Sequence, residues 1–142
     1  MQAVSLFDKV TAERWERIQA FSLDLPGAPL PFSKCLAHEM EWSPEFADLA
    51  ISEYRKFTLL CSLFPNETVP STHVDTVWHM HLLYTRNYHR YCREALGQEF
   101  LHHEPASGDE AEAALFKQLY STTLQRYKEL FALIPPIAVW GE

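Results

Sequence analysis

The stretch STHVDTVWHMHLLYTRNYHRYCREALG, residues 71–97, decides the fold. Ser71 or Thr72 offers a side-chain cap, Asp75 falls in the first turn where a carboxylate suits the helix dipole, and Gly97 follows the last periodic residue. At about 100° per residue, Val74, Val77, Trp78, His81, Tyr84, Thr85, Tyr88, Tyr91, Cys92 and Leu96 share one broad stripe. The spacing predicts a central helix from about Ser71 to Leu96, with this stripe turned to the core.

The flanks carry the same period. Upstream, Ser43-Pro44 pairs an N-cap hydroxyl with proline at the first helical position, and Phe46 to Phe64 then runs without a breaker until Pro65 to Pro70. Leu25 to Phe32 holds Pro26, Gly27, Pro29 and Pro31 and reads as a loop, leading to a short helix near Lys34 to Glu41. Phe7, Val10, Trp15, Ile18 and Phe21 suggest a first helix with one apolar face. Downstream, after a loop through Glu104-Pro105 and Gly108, Asp109-Glu110 opens an amphipathic stretch to about Leu133. Leu115, Leu119, Leu124, Tyr127 and Phe131 point inward, and Pro135-Pro136 stops it. With no alternating strands and no solenoid repeat, the expectation is all-α: an irregular bundle of four to five helices forming one domain over residues 1–142.

Composition narrows the function classes. The 142 residues are 47% hydrophobic and 13% aromatic with only 4 glycines, which suits one packed core rather than a disordered chain. Twelve Lys and Arg against nineteen Asp and Glu give a net charge of -7, which argues against a sequence-independent grip on nucleic acid or anionic lipid. No run approaches the roughly 20 apolar residues of a membrane span, and MQAVSLFDKVTAERWERIQ reads as too charged for a signal peptide. Cys35, Cys61 and Cys92 are odd in number and scattered, which fits a reducing compartment, so the expected location is the cytoplasm.

The chemistry concentrates between Pro70 and Pro105. His81 lies near the middle of the apolar stripe, where a core imidazole with backbone or tyrosine partners is expected; Tyr84, Tyr88 and Tyr91 read as packing residues with polar tips, and Cys92 as a buried thiol. On the opposite stripe Asp75 and His79, at i and i+4, can meet one ion or orient one another. The alternative is a modest surface contact. His79 and His81 diverge by about 200° and cannot chelate one ion from a regular helix. Further ligands would come from Phe100-Leu101-His102-His103-Glu104, so two imidazoles and a carboxylate make zinc or iron(II) chemically reasonable. Arg86 and Arg90, with Arg93, could form an anion or substrate pocket beside His79, although arginines at such spacing are often a solvated face. His38-Glu39-Met40-Glu41-Trp42 fails the H-E-x-x-H pattern at Trp42.

Pro70-Ser71, Val74-Asp75, Trp78-His79, His81, Tyr88, Cys92, Gly97 and His103 together resemble the signature segment of the glycine-rich domain-containing protein family. The short bacterial branch is the nearer likeness, through Thr85-Arg86, Phe100, His102-His103 and the tail Pro135-Pro136 with Trp140. The resemblance spans about a third of the chain, and this sequence has no glycine-rich tail. It implies no particular reaction or cofactor, but it singles out Asp75, His79 and His103 as a functional cluster, with His102 the weaker of its pair. Such a cluster requires the chain to fold back: Leu96 lies about 25 Å beyond His79 at 1.5 Å per residue, and Gly97 to His103 spans only about 20 to 25 Å fully extended. A kink or early end near Cys92 would close that gap.

Two readings of function follow. One is a metal-binding helical domain, open to metalloenzyme chemistry, in which Asp75, His79 and His103 hold zinc or iron(II). The other is a non-catalytic interaction module, in which the same residues pin the His102 to Pro105 loop onto the central helix. The partner is an unknown small molecule or a protein. RNA or nucleotide binding by the stretch from Thr85 to Arg93 is a weaker third reading, because its tyrosines are expected to face the core.

Overall fold

The computed structural model describes residues 8–104 and 108–141, so Phe7 and Pro105 lie outside the described residues. In chain order the helices are α1 (Lys9–Ala20), α2 (Phe32–Met40), α3 (Pro44–Leu63), α4 (Thr72–Leu83), α5 (Thr85–Arg90), α6 (Glu110–Phe131) and α7 (Ile137–Trp140). A π-helical turn at Tyr91–Ala95 follows α5, and no strand occurs among the described residues. Asp8, Ser43, Ser71 and Asp109 each accept a backbone N–H from three residues on, which pairs a first-turn donor that the helix itself cannot satisfy.

The fold is all-helical as expected, but the described residues hold seven α-helices rather than four to five. One extra element is α7, a single turn after Pro135-Pro136. The other arises because the central helix is not continuous. Tyr84 leaves helical geometry (φ -89°, ψ 66°), its N–H bonding to the His81 carbonyl, and α5 restarts from there. A buried side-chain pair accounts for the break. His81 Nε2 meets Asn87 Oδ1 at 2.7 Å, yet residues six apart on a straight helix point about 120° away from one another. Only a bend between them brings the two together. The break also shifts the phase of the stripe: Asn87 is buried, whereas Thr85, expected inside, is exposed.

α3 is the hub, packed against α1, α2, α4, α6 and α7. Its Tyr54, Phe57, Leu59 and Leu60 are fully buried with Ile18, Leu36, Val74, Val77, Tyr91, Tyr127 and Phe131, a continuous core of the size one domain needs. Arg55 on α3 donates to the carbonyls of Ile18 and Phe21 at 2.6 and 2.9 Å, capping the end of α1 with a cation where the dipole is negative. Two further residues expected inside are outside: Val10 is 65% exposed and Leu115 53%. Leu115 is uncovered because the first half of α6 lines a cleft, which holds the candidate site.

Candidate functional site

The chain beyond the π turn folds back on α4. Leu96 N–H bonds to the Tyr91 carbonyl at 3.1 Å, five residues back, and Gly97 (φ +71°) turns the chain in the left-handed region that glycine enters without strain. The returning segment is then clamped at Leu101. The Tyr88 hydroxyl donates to the Leu101 carbonyl and accepts from Trp78 Nε1–H at 2.9 Å, and Cys92 Sγ accepts the Leu101 N–H at 3.4 Å. Burial pushes the Cys92 thiol up from its ordinary value, which keeps it a neutral acceptor rather than a nucleophile.

Held in this way, His103 lies flat on Trp78, ring centroids 4.1 Å apart and planes 19° from parallel. Its Nε2 is 2.6 Å from Asp75 Oδ1. Asp75 and Trp78 are i and i+3 on α4, so one helix face supplies both the carboxylate and the platform. Two lone pairs would not tolerate that approach, so a proton sits on Nε2 and a neutral ring presents Nδ1 as its acceptor. Oδ1 is buried and makes no directed hydrogen bond, so the attraction of the carboxylate for the polar N–H edge and the stacking on Trp78, not hydrogen-bond alignment, hold the pair. About half of the Asp75 side chain remains exposed.

This pair stands on the wall of a cleft of about 1030 Å³. The linker before α4 contributes Val69 and Pro70, α4 contributes His73, Asp75 and Trp78, and the returning loop contributes His102, His103 and Glu104. The facing wall is Glu112, Leu115, Phe116, Leu119 and Tyr120 of α6 with Ile137, Val139 and Trp140. α6 and α7 are fixed there by a buried network. Glu53 Oε1 accepts from Tyr127 Oη–H at 2.7 Å and from Trp140 Nε1–H at 2.9 Å, while Lys56 Nζ reaches Glu53 Oε2 and Tyr127 Oη at 3.1 Å each. The Tyr120 hydroxyl donates to the Trp140 carbonyl, and His73 Nδ1 approaches the Val139 carbonyl at 3.4 Å.

Of the residues singled out in the sequence, Asp75 and His103 are brought together. His79, one turn beyond Asp75, is exposed and makes no hydrogen bond or ion pair with either among the described residues. Among those residues no three His, Cys, Asp or Glu side chains are grouped to hold a metal ion. His102 is exposed and packs edge-on to Phe100. Arg86 is exposed; Arg90 pairs with Glu94 at 3.1 Å and lies 5.3 Å from the Phe21 ring centre, and neither arginine lines the cleft.

His81 occupies the core. Its Nδ1 is 2.7 Å from the Tyr54 hydroxyl and its Nε2 is 2.7 Å from Asn87 Oδ1, whose amide donates onward to the Ser22 carbonyl at 3.0 Å. Both ring nitrogens are therefore satisfied, and loss of solvent lowers the imidazole from 6.5 to about 4, against a smaller opposing pull from the Asn87 hydrogen bond. The sequence reading missed Asn87, Glu53, Tyr120 and Trp140 as organising groups. The polar residues placed between apolar neighbours, such as Glu53 directly before Tyr54, were the available signal.

A family model described as UCP032817-like matches residues 13–126. No curated protein and no solved structure matches the chain. The resemblance to the glycine-rich domain-containing family is thereby corrected: the matching family is a different one, its match runs through the segment that carried the resemblance, and nothing indicates the glycine-rich domain-containing family. Three of the residues that carried it, Trp78, Tyr88 and Cys92, serve packing and loop clamping, roles that impose aromatic and thiol spacing without a shared function.

Proposed function

The chain belongs to the UCP032817-like family, and we propose that it binds a small molecule in the cleft beside α4, with Asp75 and His103 as the pair that exchanges a proton or hydrogen bond with it. The observation that carries this reading is the convergence of Asp75 and His103 from distant parts of the chain onto the wall of a cleft large enough for a small ligand. A carboxylate that fixes the face and tautomer of an imidazole is the arrangement acid–base chemistry uses, and the Leu101 clamp holds it in advance of any ligand. Thermal-shift screening of a chemically broad panel against wild type, Asp75→Asn and His103→Ala tests the reading. Stabilisation by at least one chemical class, reduced in both variants, is expected; a panel without effect, or one whose effects survive both substitutions, overturns it.

Zinc or iron(II) is a second reading, supported by the meeting of two expected ligands, Asp75 and His103. The third, His79, would have to turn toward them. Elemental analysis of tag-free protein tests it: a stoichiometric metal lost in Asp75→Asn supports the site, and metal-free protein that gains no stability from added zinc rejects it.

A further inference from the structure

Resting on the cleft reading above, we propose that the ligand is an organic cation, an amine on an apolar body. The cleft has two unlike walls. On one side stand Asp75 and Glu104, and Glu112 faces them from the first turn of α6. No lysine or arginine lines the cleft among the described residues; besides the Tyr120 phenol, its other ionisable side chains there are the imidazoles of His73, His102 and His103. Asp75 has the His103 ring beside it, and Glu112 Oε1 accepts the Gly108 N–H at 3.1 Å. Ser71 Oγ caps the N-terminus of α4 beside them by accepting the Val74 N–H. A cleft lined by one sign of charge between apolar walls concentrates the opposite charge.

The other wall is apolar and uncovered. Leu115, Phe116 and Ile137 are 53%, 46% and 67% exposed, although their helices are fixed to the bundle. A cation with an apolar body satisfies both walls at once, with the ammonium among the carboxylates and its N–H available to His103 Nδ1. An anion would meet three carboxylates, a neutral hydrocarbon would strip water from them without return, and a bare metal ion would leave the apolar wall in water.

The chain has four tryptophans, of which Trp78 and Trp140 line the cleft and Trp15 and Trp42 do not, so the indole N–H signals of a two-dimensional NMR spectrum report occupancy directly. Phenethylamine, phenethyl alcohol and hydrocinnamate are matched in body and differ in charge. Saturable shifts at Trp78 and Trp140 are expected with phenethylamine, at an affinity about tenfold or more above the alcohol and with no response to the acid. Asp75→Asn and Glu104→Gln should each weaken it severalfold, and added salt should do the same. Glu104 is on an exposed loop, so its substitution leaves the fold as a control. If the alcohol or the acid shifts the same indoles as tightly as the amine, the charge assignment is overturned while the cleft reading stands. If none of the three shifts them, both are overturned.

Discussion

His81 and His103 belong to one stretch of chain and both pack against aromatic rings, yet one is closed and the other open. His81 is fully buried, edge-on to Phe32, Tyr54, Tyr88 and Tyr91, and each of its nitrogens has a partner 2.7 Å away. His103 is stacked on Trp78 and touches Asp75, but it lines the cleft, its second nitrogen has no hydrogen-bond partner among the described residues, and its carboxylate partner is half in solvent. A complete set of partners turns a histidine into scaffold. An incomplete set, on a cavity and held by a clamp, leaves capacity for a ligand.

The closed side of this comparison predicts the largest effects. Glu53→Ala leaves the buried Lys56 ammonium without its carboxylate and strips the acceptor from Tyr127 and Trp140, so urea denaturation should show a loss of about 3 to 5 kcal/mol. A loss under about 1 kcal/mol would mean that water replaces the network. For His81 the pH dependence has a definite sign. The folded value lies below the ordinary one, so the unfolded chain takes up the proton first. Stability is complete above about pH 6.5 and falls toward pH 4 at about 1.4 kcal/mol per unit, about 3 kcal/mol in all. His81→Ala should cost about 1 to 3 kcal/mol at neutral pH and flatten this slope. A slope unchanged by the substitution would assign it to other groups.

Smaller effects belong to the open side. Tyr88→Phe removes the hydroxyl between Trp78 and Leu101 and should cost about 1 to 2 kcal/mol, with faster hydrogen exchange at the Leu101 amide as the clamp loosens. Unchanged exchange would show that the Cys92 contact suffices alone. Asp75→Asn should move stability by less than about 1 kcal/mol, because a half-exposed pair is screened by solvent. A loss comparable to that of His81→Ala would make the pair scaffold after all and erase the contrast.

How much was legible in the sequence follows the range of the forces involved. Caps at Ser43, Ser71 and Asp109 act over three residues, and those helix starts were readable to within a residue or so. The break at Tyr84 was not, because it depends on Asn87 meeting His81, Tyr54 and Ser22, contacts that no helical period encodes. The same limit applies to the site. Asp75 and His103 were identified as residue types suited to chemistry, and a bend was recognised as the condition for their meeting. The π turn at Tyr91 and the break at Tyr84 supply it. The opposite wall was invisible, since Leu115 fits the apolar period of α6 as well as any core residue and only the packing of α6 and α7 leaves it uncovered.

The central claim, that the Asp75 and His103 side of the molecule is an open ligand site while the His81 side is closed, is tested most directly by a crystallographic fragment screen of the wild-type protein. The account predicts fragment density in the cleft, with a polar atom within hydrogen-bonding reach of His103 Nδ1 or Asp75 and an apolar portion against Leu115, Phe116 or Ile137. Fragments that collect elsewhere and leave the cleft vacant across the screen would contradict it.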